Sequence, residues 1–350
     1  MAKIGVAEFL ALAQRHPVLD VRSPGEYAHA HIPGAISMPL FTDDERKVVG
    51  TAYKQQSRED AIKIGLDYYG PKMRKIVEAT EAILREKKFV TSGDNKLVLV
   101  HCWRGGMRSA AIAWLLELYG FKVCLLSGGY KAFRNHVLAS LAKPWFFKVL
   151  GGYTGSGKTE VLQEMAMQGR TVLDLEHLAQ HKGSAFGGFG MVQPGQEMFE
   201  NILACELDKI EPNLAPGQCI WLEDESQRIG QLNIPHTLWK TIRQSTVYYL
   251  EIPFEERLAH IVAGYSKHKK EELVNAIIRI QKRLGNQDAK NAINCLLEDR
   301  HADCFAILLK YYDKYYRVSM KNRDNPGELI LSIPANTVNA KENSKLLPAD

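Results

Sequence analysis

Short apolar runs alternate with amphipathic stretches along most of the chain, the pattern of strands alternating with helices. Beyond Pro17, residues 18–21 read as a strand, followed by a polar stretch ending in His31-Ile32-Pro33-Gly34-Ala35-Ile36 and a long polar insert with helical segments. Residues 97–101 read as a second strand, 107–119 as a helix, 121–126 as a third strand and 130–141 as a helix behind Gly128-Gly129. That order predicts an α/β domain with a parallel sheet. Around Ala142-Lys143-Pro144 the pattern restarts, with strand 146–150, a helix from Lys158, strand 171–175, a Gly-rich stretch 183–195, a helix from Glu197, and strands 219–222 and 246–252. From Phe254 the periodicity turns helical, and the polar residues 334–350 read as a disordered tail. The expected division is therefore 1–142, 143–333 and the tail.

Composition supports this division. A chain of 350 residues exceeds one typical core, and 45% hydrophobic with 24% charged residues is the balance of a globular protein. No apolar stretch reaches bilayer length, and Glu8, Gln14 and Arg15 interrupt the first apolar segment, so neither a membrane span nor a secretory signal is expected and the cytoplasm is the expected compartment. The six cysteines form no C-x-x-C pair and no zinc-like spacing with histidine, which argues against a disulfide framework or structural metal. A net charge of +5 is compatible with nucleic acid without requiring it.

Chemistry concentrates in two loops. His101-Cys102-Trp103-Arg104-Gly105-Gly106-Met107-Arg108-Ser109 joins a strand to a helix, placing Cys102 where backbone N–H groups and a helix N-terminus converge. With Arg104 and Arg108 nearby, a thiolate there would be stabilised and could hold an oxyanion or a transferred chalcogen. Cys102, five residues, then Arg108-Ser109 also satisfies the pattern of cysteine-dependent phosphatases, so the loop alone leaves the reaction open. The second loop, Gly152-Tyr153-Thr154-Gly155-Ser156-Gly157-Lys158-Thr159, matches the eight-position phosphate-binding loop. Gly152, Gly155 and Gly157 let backbone amides wrap linked phosphates, Lys158 adds a charge, and Thr159 offers a hydroxyl to Mg2+. The acids ending strand 219–222, Glu223 and Asp224, are candidates for the metal's water shell, with Asp224 preferred.

Leu19-Asp20-Val21-Arg22-Ser23, Glu26-Tyr27, His31 to Ile36 and Leu126-Ser127-Gly128-Gly129-Tyr130 resemble the rhodanese fold in order and spacing. Taken with Gly50-Thr51-Ala52-Tyr53-Lys54-Gln55, the two loops, Gly183-Ser184-Ala185-Phe186-Gly187 and Glu223-Asp224-Glu225-Ser226-Gln227-Arg228-Ile229-Gly230, the chain resembles the bacterial tRNA 2-selenouridine synthases over nearly its whole length. The resemblance implies a rhodanese-like domain followed by a P-loop NTPase-like domain with a helical C-terminal part. It implies conversion of wobble 2-thiouridine in Lys, Glu and Gln tRNAs to 2-selenouridine through S-geranyl-2-thiouridine, with geranyl diphosphate and selenophosphate as co-substrates. It further implies Cys102 as selenium carrier assisted by Arg104 and Arg108, and an enzyme producing selenophosphate as a partner. Other readings of the same residues are a rhodanese-type sulfurtransferase with a regulatory NTPase domain, a Cys-dependent phosphatase, and a noncatalytic tRNA-binding module.

A tRNA partner requires a basic surface. Arg279, Lys282 and Arg283 share one face if 273–284 is a helix, and Lys310-Tyr311-Tyr312-Asp313-Lys314-Tyr315-Tyr316-Arg317 interleaves cations with rings. Lys267, Lys269 and Lys270 add to the same helical region.

Overall fold

The computed structural model describes residues 1–86, 96–183, 191–265, 268–323 and 325–349. The segment Ser184 to Gly187 and Lys267, both singled out above, lie outside the described residues. The chain forms two compact units, Met1–Ser140 and Leu141–Asp350. Among the described residues no helix is long and apolar enough to cross a membrane.

The first unit runs β1 (Ala2–Ile4), α1 (Val6–Ala13), β2 (Val18–Asp20), α2 (Pro24–His29), β3 (Ile36–Ser37), α3 (Asp43–Gln55), α4 (Arg58–Tyr69), α5 (Met73–Leu84), β4 (Leu97–His101), α6 (Met107–Tyr119), β5 (Lys122–Leu126) and α7 (Gly129–Leu141). All pairings are parallel in the order β1-β5-β4-β2-β3. Val98, Leu99 and Val100 of β4 are fully buried because the strand is central and covered on both faces, which is why it reads as a continuous apolar run. Among its described residues the polar insert holds the α-helices α3, α4 and α5: Thr42 and Glu45 form a capping box at α3, and the Ser57 hydroxyl accepts from Asp60 N–H at α4. Ile76, Val77 and Ile83 of α5 join the sheet's core cluster, so the insert is part of the domain.

The second unit continues β6 (Phe147–Gly152), α8 (Lys158–Met167), α9 (Leu175–Ala179), α10 (Gln196–Ile210), β7 (Ile220–Glu223), β8 (Arg228–Ile229), β9 (Leu232–Asn233), α11 (His236–Arg243), β10 (Thr246–Glu251), α12 (Phe254–Tyr265), α13 (Lys270–Leu284), α14 (Asn286–Leu297), α15 (His301–Lys321), α16 (Pro326–Leu329), β11 (Ile330–Pro334) and α17 (Ala340–Lys345). A parallel sheet of order β11-β10-β6-β7 carries the phosphate loop on an inner strand. Helices α12 to α15 pack on one another around Leu273, Ile277, Leu296, Phe305 and Leu308.

Two expectations are corrected. Residues 171–175 form only an isolated bridge from Val172 to Trp221, because Asp174 caps α9, its carboxylate accepting from His177 N–H at 2.8 Å. The described residues 334–349 are no disordered tail. Pro334 ends β11, which pairs with β10; Ala335 and Leu347 are buried against α8 and the sheet; and Arg170 donates to the Pro348 carbonyl at 3.1 Å. Asn339 caps the short last helix by accepting from Glu342 N–H at 3.1 Å.

Candidate functional site

In the first unit β4 delivers Cys102 directly after its last residue, and α6 begins five residues later. The loop between them is pressed against the start of α7. A Cβ on Gly129, which has φ +60°, would lie 2.4 Å from the Cys102 carbonyl, so only glycine fits there. That proximity lets Tyr130 N–H donate to the Cys102 carbonyl at 2.8 Å, and the buried sulfur turns inward to receive Gly106 N–H at 3.3 Å. The Ser109 hydroxyl lies 3.2 Å from the sulfur. Burial pushes the Cys102 thiol up, but the Ser109 hydroxyl and N–H, the Arg104 N–H and the Arg108 charge outweigh it, and the thiol titrates below its ordinary value.

The two arginines expected at this loop are placed differently. Arg108 is tied to Glu26 at 2.7 Å, and Arg46 reaches the same carboxylate at 3.0 Å. Burial opposes ionisation of Glu26, yet the Arg108 hydrogen bond and charge, the Ser23 N–H and Arg46 prevail and hold it at about 2. The Arg104 side chain is exposed, and its contribution to the sulfur is the backbone N–H. Behind the loop, Arg22 and Asp20 form a fully buried pair at 2.6 Å, with Arg22 stacked 3.8 Å from the centre of the Tyr130 ring. Burial above all pushes His101 down to about 4, so it stays neutral beside this pair.

In the second unit β6 ends at Gly152 and α8 begins at Lys158. Gly155, with φ +84°, sits against α12: a Cβ there would lie 2.9 Å from Ile261 and 3.0 Å from the Arg257 carbonyl. Lys158 Nζ donates to the Gly152 carbonyl at 3.2 Å, folding the ammonium over the loop. Three residues that the sequence did not connect to this loop support it. Arg257 donates to the Thr154 carbonyl at 3.1 Å and pairs in two-pronged fashion with Asp313 at 3.0 and 2.9 Å. The Tyr316 hydroxyl accepts from Gly152 N–H at 3.1 Å and donates to Asp224 at 2.7 Å.

The two candidate acids, Glu223 and Asp224, are placed differently. The Asp224 carboxylate is held by Tyr316 and by Arg323, while Thr159 Oγ1 donates to Glu223 at 2.6 Å. Successive side chains at a strand end point to opposite sides, so only one of two adjacent acids can face the loop, and here it is Glu223. Glu223 has company: one carboxylate oxygen from each of Glu176, Glu223 and Glu225 lies within 4.8 Å of the others. Burial and then mutual repulsion push Glu176 up to about 7, and Glu223 and Glu225 are likewise raised, with Lys158 working against the shift. Three crowded carboxylates and the Thr159 hydroxyl are hard oxygen donors whose shared charge a divalent cation would relieve, so these residues fit Mg2+.

Helix α13 is confirmed across the expected span, and Arg279, Lys282 and Arg283 all lie exposed along it. Ile277 and Leu284 are buried as its periodicity predicts, but Ile278 faces outward with 51% exposure.

Residues 146–332 match the family described as the tRNA 2-selenouridine synthase AAA domain, and residues 6–136 match the rhodanese-like domain. Proteins named tRNA 2-selenouridine synthase are similar along much of the chain. That of Nitrosomonas europaea is 34% identical over 75% of this chain and 67% of its own length. That of Bdellovibrio bacteriovorus is 37% identical over 72% and 65%, and that of Marinobacter nauticus 33% identical over 90% of each. With one family description covering more than half its residues and a relative aligned almost end to end, the chain belongs to the tRNA 2-selenouridine synthase family.

Proposed function

We propose that the protein converts wobble 2-thiouridine of Lys, Glu and Gln tRNAs to 2-selenouridine in two steps, one for each loop. In the first, the thiocarbonyl sulfur attacks C1 of geranyl diphosphate, the C–O bond breaks and diphosphate leaves. The amides after Gly152, the flexible Gly155 and Gly157, and Lys158 receive the departing charge. Bound Mg2+ would neutralise diphosphate oxygens, and Thr159 and Glu223 are the residues to hold it. In the second, the Cys102 thiolate attacks the phosphorus of selenophosphate and breaks the P–Se bond, water later frees the cysteine as phosphate leaves, and the released selenide attacks C2 of the modified base, where geranyl thiolate is the leaving group. Alkylation is what makes that sulfur able to leave. A selenophosphate-producing enzyme is the natural supplier.

The observation that carries this reading is a thiol of lowered pKa in an amide-lined loop, in a chain that also holds a phosphate loop and belongs to this family. Arg108 supports the negative sulfur at a distance, and the exposed Arg104 is left to meet the selenium donor. Arg279, Lys282 and Arg283 are assigned to the tRNA backbone.

Mass spectrometry of tRNA nucleosides tests the division of labour. With geranyl diphosphate and selenophosphate both supplied, Cys102→Ser should accumulate S-geranyl-2-thiouridine and form no 2-selenouridine. Lys158→Ala should lose geranylation yet still selenate tRNA that is supplied already geranylated. Full selenation by the cysteine variant, or no reaction of the geranylated tRNA with the lysine variant, would remove that residue from its assigned step.

A further inference from the structure

Helix α15 carries more charge than its buried face requires. Its inward side chains are committed, Asp313 to Arg257 and Tyr316 to Gly152 and Asp224. Beside them Lys310, Lys314 and Arg317 run at i, i+4 and i+7 along one stripe and, with Phe254 at the start of α12 and Asp313, line a cleft of about 300 Å3. The Asp313 charge is met by Arg257, and among the described residues neither Lys310 nor Lys314 forms an ion pair. The cleft thus presents three cations beside a single lining carboxylate that is already paired with Arg257.

Both ends of the cleft lead to places with an assigned role. At one end Arg317 Nε donates to the Tyr153 hydroxyl at 2.9 Å, and Tyr153 is the second residue of the phosphate loop. At the other, Lys310 adjoins Tyr311, which feels the charge of Arg283 on α13 and whose ring centre is 4.7 Å from that of Tyr315. Cations and rings therefore continue from the outer face of α13 to the phosphate loop. Ammonium groups on phosphates with a ring for the base to lie against are the means by which proteins hold unpaired nucleotides. A cleft of this volume is at the small end for a binding site, the right scale for one nucleotide and far too small for a duplex.

We infer that this cleft is a subsite for one unpaired nucleotide of the RNA substrate, with Lys310 and Lys314 on its phosphate, Phe254 against its base, and Arg317 linking its position to the phosphate loop. The inference rests on the tRNA reading above and adds where on the chain the unpaired loop sits.

The test is fluorescence anisotropy of a labelled anticodon stem-loop RNA across a salt series, with calorimetry of inorganic diphosphate on the same proteins. Replacing both exposed lysines (Lys310→Gln with Lys314→Gln) should weaken RNA binding and lower the magnitude of the log–log salt slope by up to about 1.4, roughly 0.7 per single-strand phosphate. Inorganic diphosphate should bind as before, which also reports an intact fold. Phe254→Leu should cost about tenfold in RNA affinity with no change of slope, since it removes a stacking face and no charge. Unchanged RNA affinity and slope in the lysine variant would overturn the subsite. So would lost diphosphate affinity with RNA binding intact, which would give the cleft to the diphosphate donor. Wild-type protein that binds no RNA would overturn the tRNA reading itself, and this subsite with it.

Discussion

Cys102 owes its chemistry to Ser109 more than to the arginines that the sequence brings to mind. The serine supplies both a hydroxyl and an N–H to the sulfur, ahead of the Arg108 charge in effect. Ser109→Ala should therefore raise the thiol pKa, and because the thiolate exists only above that pKa, the rate of iodoacetamide alkylation of Cys102 should fall at neutral pH and recover at higher pH. An unmoved midpoint in the alkylation profile would deny Ser109 the role of donor. Residues of this kind divide cleanly by legibility. Cys102, Lys158 and Thr159 stand out because each loop is contiguous, with its glycines and reactive or charged side chains within nine residues. Glu26, Arg257 and Tyr316 do not, since they meet their loops from 82, 103 and 164 residues away, where no local pattern connects them. The choice between Glu223 and Asp224 is hidden for another reason, as strand alternation decides it and the terminal register of a four-residue strand is not written in its composition.

At the level of elements, buried strands are legible and short or exposed edge strands are not. The inner strands β2, β4, β5, β6 and β10, and the edge strand β7 whose four residues are all buried, announce themselves as apolar runs, whereas the edge strands β1 and β3 have three and two residues, too few to show a period. The edge strand β11 is a short apolar run at the end of a helical stretch, with Leu331 and Ser332 exposed, and the polar segment beyond it has the composition of a tail. A handful of apolar anchors hold that segment, chief among them Leu347 at 3% exposure. Leu347→Ala should cost about 2–5 kcal/mol, the usual loss for a buried leucine truncated to alanine, visible as a lower urea midpoint for the second unit. A change within about 0.5 kcal/mol, what a surface position gives, would mean that the segment frays in solution. Arg257 and Asp313 belong to this scale as well, for they pin α15 to α12 and α12 to the phosphate loop. Arg257→Ala would strand a buried carboxylate, costing about 3–5 kcal/mol, and should loosen diphosphate binding along with stability.

For the molecule as a whole, a net charge of +5 says little, and placement decides what it does. Replacing Arg279, Lys282 and Arg283 together by alanine should weaken tRNA binding and lower the magnitude of its salt slope by up to about 0.9 for each duplex phosphate no longer neutralised. An unchanged slope would return the α13 face to solvent and leave RNA binding to α15. The hydroxyl of Tyr316 on Gly152 N–H has a further consequence, in time rather than in space. A ribosome releases the glycine-rich loop early and its tyrosine brace 164 residues later, with the arginine that holds the Thr154 carbonyl in between. The loop's signature is complete when Thr159 emerges, but its shape is not. A nascent chain halted before α15 should carry an intact phosphate-loop motif and lack this support, so competence to grip diphosphate is acquired only once α15 has emerged.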